Sequence, residues 1–176
     1  MLKPSTNNIA NNRKYPEWIV LISSISKEGR PNIMVAGWCM CTSHTPLMYA
    51  VSVAPQRYTH TLLSEVPEFV LAAPKFELAK ATLFAGTNSG RQKDKIKEGG
   101  FEIKPASQVK PYLISGCVFN MECRIVESIT TGDHTLFAGE VVQSHVDDDS
   151  AELRLMNFGG SEFAKPIADY QNTFKF

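Results

Sequence analysis

Residues 31–59 read PNIMVAGWCMCTSHTPLMYAVSVAPQRYT. Two apolar runs of β type, residues 32–38 and Leu47–Val53, flank a polar segment, 39–46, expected to be a loop. The first run narrows to Ala36-Gly37, and small residues inside a strand mark a place where another backbone or a flat ligand comes close. The second ends at Pro55-Gln56-Arg57-Tyr58-Thr59, where a helical pattern begins. A helix that opens with Arg and Thr beside free N–H groups suits an anion.

Outward from this stretch the chain reads as more strands. Upstream, EWIVLISSI (17–25) is a buried-strand run turned back by Lys27-Glu28-Gly29-Arg30-Pro31. Residues 59–66 read as a short helix, 68–73 as a strand and 75–85 as a helix stopped by Gly86. A charged helix is expected over 92–98, halted by Gly99-Gly100, and a short strand over 101–104. Residues 112–130 alternate, with Cys117, Phe119, Met121, Cys123 and Ile125 on one face and Asn120, Glu122 and Arg124 on the other. Thr131-Gly132-Asp133 turns the chain, 134–146 returns as the hairpin partner, Asp147–Asp149 turns again, and 153–158 is a last strand before Gly159-Gly160. That gives about eight strands in mostly antiparallel succession with a few short helices, the pattern of a closed or split β-barrel. Regular helical crossovers, which a doubly wound fold needs, are missing.

A chain of 176 residues fits a single domain, 1–176, with a loosely held polar arm at 1–14 and a tail at 164–176 that ends near Phe174 and Phe176. Lys plus Arg equals Asp plus Glu, 18 against 18, so no overall field draws the chain to nucleic acid or an anionic membrane. Any anion site is local. The first residues lack the apolar core of a signal peptide and no run reaches the ~20 apolar residues of a membrane span, so a cytoplasmic location is expected.

The four cysteines stand at 39, 41, 117 and 123. On one strand Cys117 and Cys123 would lie roughly 20 Å apart at ~3.3 Å per residue, beyond the ~7 Å a disulfide spans. Cys39-x-Cys41 lacks the spacing of redox or zinc pairs, so reduced thiols, acting as small apolar residues, are the expectation. His44, His60 and His145 are scattered without metal-site spacing, and no metal is expected.

Four segments in order, NIMVAGW (32–38), APQRYT (54–59), TNSGRQKDK (87–95) and Gly132-Asp133-His134, resemble the flavin reductase-like family of FMN-binding split-barrel proteins, which includes the flavoredoxins. The resemblance runs from about residue 16 to 163. It implies an FMN-binding split β-barrel, a Greek-key-like antiparallel barrel with a few short helices, and a homodimer with non-covalent FMN at the subunit interface. It also implies an oxidoreductase that takes hydride or electrons from NAD(P)H or a redox protein and passes them to free flavin, ferric iron or a protein acceptor. The alternatives are a flavoredoxin-type carrier without nicotinamide activity, and a non-catalytic ligand-binding module. The chain departs from the family at Val35, where Thr is frequent and Val has no hydroxyl to donate, and at Pro46-Leu47, where two prolines are frequent.

On the residues alone, Arg57 reads as a surface side chain at a turn, Thr59 as a helix cap, and Lys93 and Lys95 as a solvated helix face. The resemblance assigns phosphate contacts to both clusters: Arg57, Tyr58 and Thr59 in the first, Ser89, Gly90, Arg91, Lys93 and Lys95 in the second. TNSGRQK is no Walker loop, because the Gly-Lys-Ser/Thr ending is missing. An isoalloxazine ring needs a flat apolar wall and backbone donors that tune its electronics. Ala36, Gly37, Trp38, Cys39 and Met40 offer these, with Ser52 and Val53 on the neighbouring strand; on the residues alone Ile33, Val35 and Trp38 read first as plain core, and the resemblance assigns the stretch to the ring. His134 reads on its own as a turn histidine; in similar proteins this position lies over the flavin, which makes it the candidate catalytic residue. No G-x-G-x-x-G occurs, so a nicotinamide nucleotide would bind only transiently over the flavin.

Overall fold

The computed structural model describes residues 2–148, 154–159 and 162–164. Its elements are α1 (Asn7–Asn11), β1 (Glu17–Trp18), β2 (Val20–Ile25), β3 (Pro31–Ala36), β4 (Cys39–His44), β5 (Leu47–Val53), α2 (Tyr58–Glu65), β6 (Glu68–Pro74), α3 (Ala79–Thr87), α4 (Lys95–Gly99), β7 (Ile103–Lys104), β8 (Leu113–Ile114), β9 (Cys117–Thr131), β10 (His134–Val146), β11 (Met156–Gly159) and β12 (Glu162–Ala164). Seven strands form one antiparallel sheet in the order β3-β2-β6-β9-β10-β5-β4, and β1-β11-β12 form a second, smaller one. The two edges of the large sheet, β3 and β4, are consecutive in the chain, joined only through Gly37-Trp38. The seam between them is where the sheet fails to close.

Strand β2 is buried along its whole length because both of its faces are covered. Val20 and Ile22 join Leu71, Phe69, Cys123 and Phe137 in a core enclosed by the sheet. Leu21, together with Ile33 and Ala72, packs under Ala81 and Ala85 of α3. Each fully buried Leu, Ile or Phe is worth about 1.5–3 kcal/mol against exposure, so these two clusters fix which face of every strand turns inward. The long β9–β10 hairpin slips register between Ala138 and Gly139. There Gly139 leaves room for Phe69, whose ring would stand 2.7 Å from any Cβ added at that position.

The mainly β architecture agrees with the sequence, and several boundaries do not. Residues 39–44, expected in a loop, form β4, pairing Cys39 with Val51 and His44 with Leu47. Only Cys39 of this strand is buried, so its residues carry no apolar alternation to announce it. The run 17–25 divides at Ile19: Glu17 and Trp18 pair with Asn157 and Met156, whereas β2 pairs with β3 and β6. Gly86 does not end α3, which runs on to Thr87 with Gly86 set against the Val35 side chain. Asn88 closes it by donating from Nδ2 to the Phe84 carbonyl at 2.9 Å. The charged helix starts at Lys95 instead of Gln92, because Asp94 caps the N–H groups of Ile96 and Lys97. The arm at 1–14 contains α1, capped by Thr6, and a 3-10 turn at Asn12–Lys14. Leu153, Asp149 and residues 165–176, including Phe174 and Phe176, lie outside the described residues.

Candidate functional site

A groove follows the open seam and has two ends. One end, about 470 Å³, is lined by Asn32, Met34 and Val35 of β3, by Gln56–Thr59 at the start of α2, and by residues 85–90, Gln92 and Lys95. The other, about 370 Å³, is lined by Glu17, residues 34–38, Ser52–Ala54, Arg57 and His134. Met34, Val35 and Arg57 line both, which makes the groove continuous.

The first end is built for an anion. Arg57 takes the N-cap position of α2 with an extended backbone and no side-chain cap, the His60 N–H donates to its carbonyl at 3.0 Å, and the first two helical residues, Tyr58 and Thr59, line the cavity at the positive end of the helix. Lys95 is 7% exposed, and its ammonium donates to the carbonyls of Ile33 (3.0 Å) and Ala85 (2.7 Å). Among the described residues it meets no carboxylate. Burial, and then the nearby Arg57 guanidinium, bring Lys95 down from 10.5 to about 8. Two cations thus converge on a cavity that supplies no counter-charge, a situation an anion corrects.

Asn32 adds a second sign of a ligand. It is 2% exposed, and its Nδ2 donates to the hydroxyls of Ser24 (3.2 Å) and Thr59 (3.0 Å), while Oδ1 has no partner. That atom lies beside Gly90, where an added Cβ would collide with it and approach the Tyr58 ring to 3.0 Å. A buried polar atom without a partner costs about 1–3 kcal/mol. A hydroxyl-bearing ligand removes that cost. The sequence reading missed Asn32; a polar residue inside a buried strand was the available signal.

The ring end is flatter. Ala36 is buried, Gly37 half-buried and Trp38 half exposed, with Ser52 and Val53 across from them on β5. The Trp38 and His134 rings stand 4.8 Å apart in a tilted stack. The Asp133 carboxylate lies 2.6 Å from His134 Nδ1, and this hydrogen bond holds the Asp133 carboxyl below its usual range. At Gly37 the absent side chain leaves room for the Glu17 carboxylate, whose Oε1 would stand 2.6 Å from an added Cβ.

Not every expected residue reaches the groove. Ala36, Gly37, Trp38, Ser52, Val53, Arg57, Tyr58, Thr59, Ser89, Gly90, Lys95 and His134 line it. Cys39 is buried beneath it, its thiol pushed up to about 12 by burial, and Met40 points from β4 to solvent. Arg91 braces the turn by donating to the Gln56 carbonyl and Thr61 Oγ1 at 3.1 Å each, with its guanidinium 5.1 Å from the Tyr58 ring centre. Lys93 pairs with Glu98 at 3.0 Å. Among the described residues no group of three His, Cys, Asp or Glu could hold a metal, and no helix is long and apolar enough to cross a membrane.

Residues 12–166 match the family described as flavin reductase like domain. An uncharacterized protein of Archaeoglobus fulgidus is 39% identical over 123 residues, 70% of this chain and 68% of its own length. A second Archaeoglobus fulgidus protein, a ferric-chelate reductase (NAD(P)H), is 25% identical over 138 residues, 78% of this chain and 80% of its own. Among solved structures, the flavoredoxin of Methanosarcina acetivorans is 30% identical with a TM-score of 0.75, covering 84% of this chain and 77% of its own. An FMN-binding protein from Thermus thermophilus superposes with a TM-score of 0.85 over 99% of this chain and 98% of its own, at 24% identity. The fold is that of the FMN-binding split-barrel proteins. The family match covers nearly the whole chain and takes in both ends of the groove, and the chain therefore belongs to the flavin reductase-like family.

Proposed function

We propose that this chain is a flavin-dependent oxidoreductase that holds FMN non-covalently in the groove, its phosphate at the Arg57–Lys95 end and its ring system along Ala36–Trp38. The observation that carries the reading is the buried Lys95 ammonium, close to Arg57 and met by carbonyls alone. The residues present fit the group. A phosphate dianion answers the two cations and the positive end of α2, a ribityl hydroxyl answers Asn32 Oδ1, and the glycines at 37 and 90 leave space that a Cβ would fill.

Bound there, FMN supplies the redox chemistry, accepting hydride or electrons from a donor and releasing them to an acceptor. The chain's own residues do the rest. Thr59, Ser89 and the backbone at Gly90 would hold the phosphate, Ser52 and Val53 would support the ring system from β5, and His134, stacked on Trp38, would stand at the edge where a donor docks. Asp133 fixes the His134 imidazole from one nitrogen and leaves the other to face whatever docks over the ring.

The donor is NAD(P)H or a redox protein, and the acceptor free flavin, ferric iron or a protein. The groove opens along one side, beside the exposed Trp38 and Met40, and a second copy of the chain would cover it, giving a homodimer with FMN between subunits. FMN titration followed by protein-fluorescence quenching tests the site, and light-scattering mass tests the dimer. Stopped-flow mixing of the loaded protein with NADH and NADPH chooses the donor class: reduction by neither leaves the protein-donor carrier. Failure to take up FMN would reject the reading.

A further inference from the structure

The carboxylate of Glu17 has no place in the account above, although it lines the ring end of the groove. It is the only carboxylate among the described lining residues there. Its backbone is tied down by pairing of β1 with β11 at Asn157. Oε2 takes an ion pair with Lys14 at 3.0 Å. Oε1 lies against Gly37, 2.6 Å from where a Cβ would stand, and accepts no hydrogen bond among the described residues. The glycine leaves room for a carboxylate oxygen to be pressed into the wall on which a flat ring would rest.

The other charged or titratable groups at this end are Arg57, His134 with its Asp133, and Lys14 itself, whose ammonium sits 5.1 Å from the Trp38 ring centre and 5.3 Å from that of Tyr15. Arg57 belongs to both ends and is shared with the anion site. Asp133 is bound up with His134. The carboxylate that reaches the wall at Gly37 is that of Glu17, and its ion pair with Lys14 sets how much of its charge is felt.

We infer that Glu17 sets the reduction potential of the flavin held in this groove, keeping it low, and that Lys14 moderates the effect. The inference rests on the FMN reading above. Two-electron reduction of oxidised FMN takes up one or two protons, so the reduced ring carries as much as one more negative charge than the oxidised one. A carboxylate beside the ring opposes that charge, and in a partly dry site Coulomb repulsion over a few ångströms is weakly screened. The oxidised form is therefore bound more tightly than the reduced form. Neutralising Glu17 narrows the gap, and removing its counter-ion widens it.

The test is the midpoint potential of the FMN-loaded chain of residues 1–176, equilibrated against a reference dye, for the unaltered protein, Glu17→Gln and Lys14→Gln. Glu17→Gln keeps the side-chain volume and is expected to favour reduction by about tenfold or more, an upward shift of ~30 mV for a two-electron couple. Lys14→Gln is expected to shift the potential downward. In each case the ratio of dissociation constants for reduced and oxidised FMN must change by the same factor. Potentials that do not move, or that move in the same direction in both variants, overturn the inference while leaving the groove assignment standing. An unaltered protein that binds no FMN overturns both.

Discussion

The ammonium of Lys95 donates a 2.7 Å hydrogen bond to the carbonyl of Ala85, so a charge on α4 is carried inward beneath the end of α3. Its second bond, to Ile33 on β3, ties the edge of the large sheet to both helices. One side chain thus braces the groove and charges it.

Because folding lowers Lys95 to about 8 from 10.5, the unfolded chain binds more protons between those values. The ligand-free protein should therefore gain stability as pH rises through that window. Binding of a phosphate dianion works the other way, since it favours the protonated lysine. The thermal shift produced by inorganic phosphate or FMN should be larger at pH 7 than at pH 9.5. Lys95→Met should weaken FMN binding by about 10–100-fold, the worth of a charged hydrogen bond, as read by fluorescence titration.

Glu122 is completely buried on β9. Burial pushes its carboxyl up, but the N–H of Ser107, the His145 ring, the N–H of Gln108 and the Ser107 hydroxyl together outweigh this and hold it at about 2. A depressed folded value stabilises the protein above the unfolded pKa near 4.5, and that stability is lost as pH falls toward 2. Glu122→Gln should lower stability by about 2–4 kcal/mol near neutral pH, since an amide cannot accept every one of these bonds. It should also flatten the acid limb of a plot of Tm against pH between 4.5 and 2.

His134 lines the outer edge of the ring end, stacked against Trp38. His134→Ala should leave the dissociation constant of FMN within about 3-fold and slow reduction of the bound flavin by roughly 3–10-fold, the worth of one aromatic contact to a docking donor. Stopped-flow traces at several donor concentrations separate the two effects. A large loss of FMN affinity would instead make His134 part of the cofactor cradle.

Burial pushes Cys39 and Cys117 up to about 12, and Cys123 up as well, whereas Cys41 is exposed. Thiolates are the reactive form, so native protein at pH 8 should take up iodoacetamide at Cys41 alone, with the other three labelled only after unfolding. Peptide mass spectrometry gives the answer directly.

Much of the fold was legible in the residues. The alternation read over 112–130 and the Gly132-Asp133 turn announced the β9–β10 hairpin, although β9 begins only at Cys117 and Leu113–Ile114 form the separate β8, and the apolar runs announced β2, β3, β5 and β6. Strand β4 was hidden, because a polar edge strand is defined by its hydrogen bonds to β5 and not by burial. The small β1-β11-β12 sheet was hidden too, since its two-residue first strand has no periodicity to read and its partner lies far along the chain.

For the candidate site, local motifs determined which residues could grip an anion and which could lie flat under a ring, because charge, hydroxyls and the lack of a Cβ are properties of the residues themselves. Which of them meet was decided only by the tertiary structure. Lys93 and Lys95 look alike in sequence, yet one pairs with Glu98 at the surface and the other is buried over carbonyls. Asn32 and Glu17, unremarked as a strand residue and a strand start, enter the groove because β3 passes beneath Gly90 and β1 leaves β2 to lie beside Gly37. Composition and spacing specify what a side chain can do, whereas long-range strand pairing, set by burial of distant apolar residues, specifies where it does it.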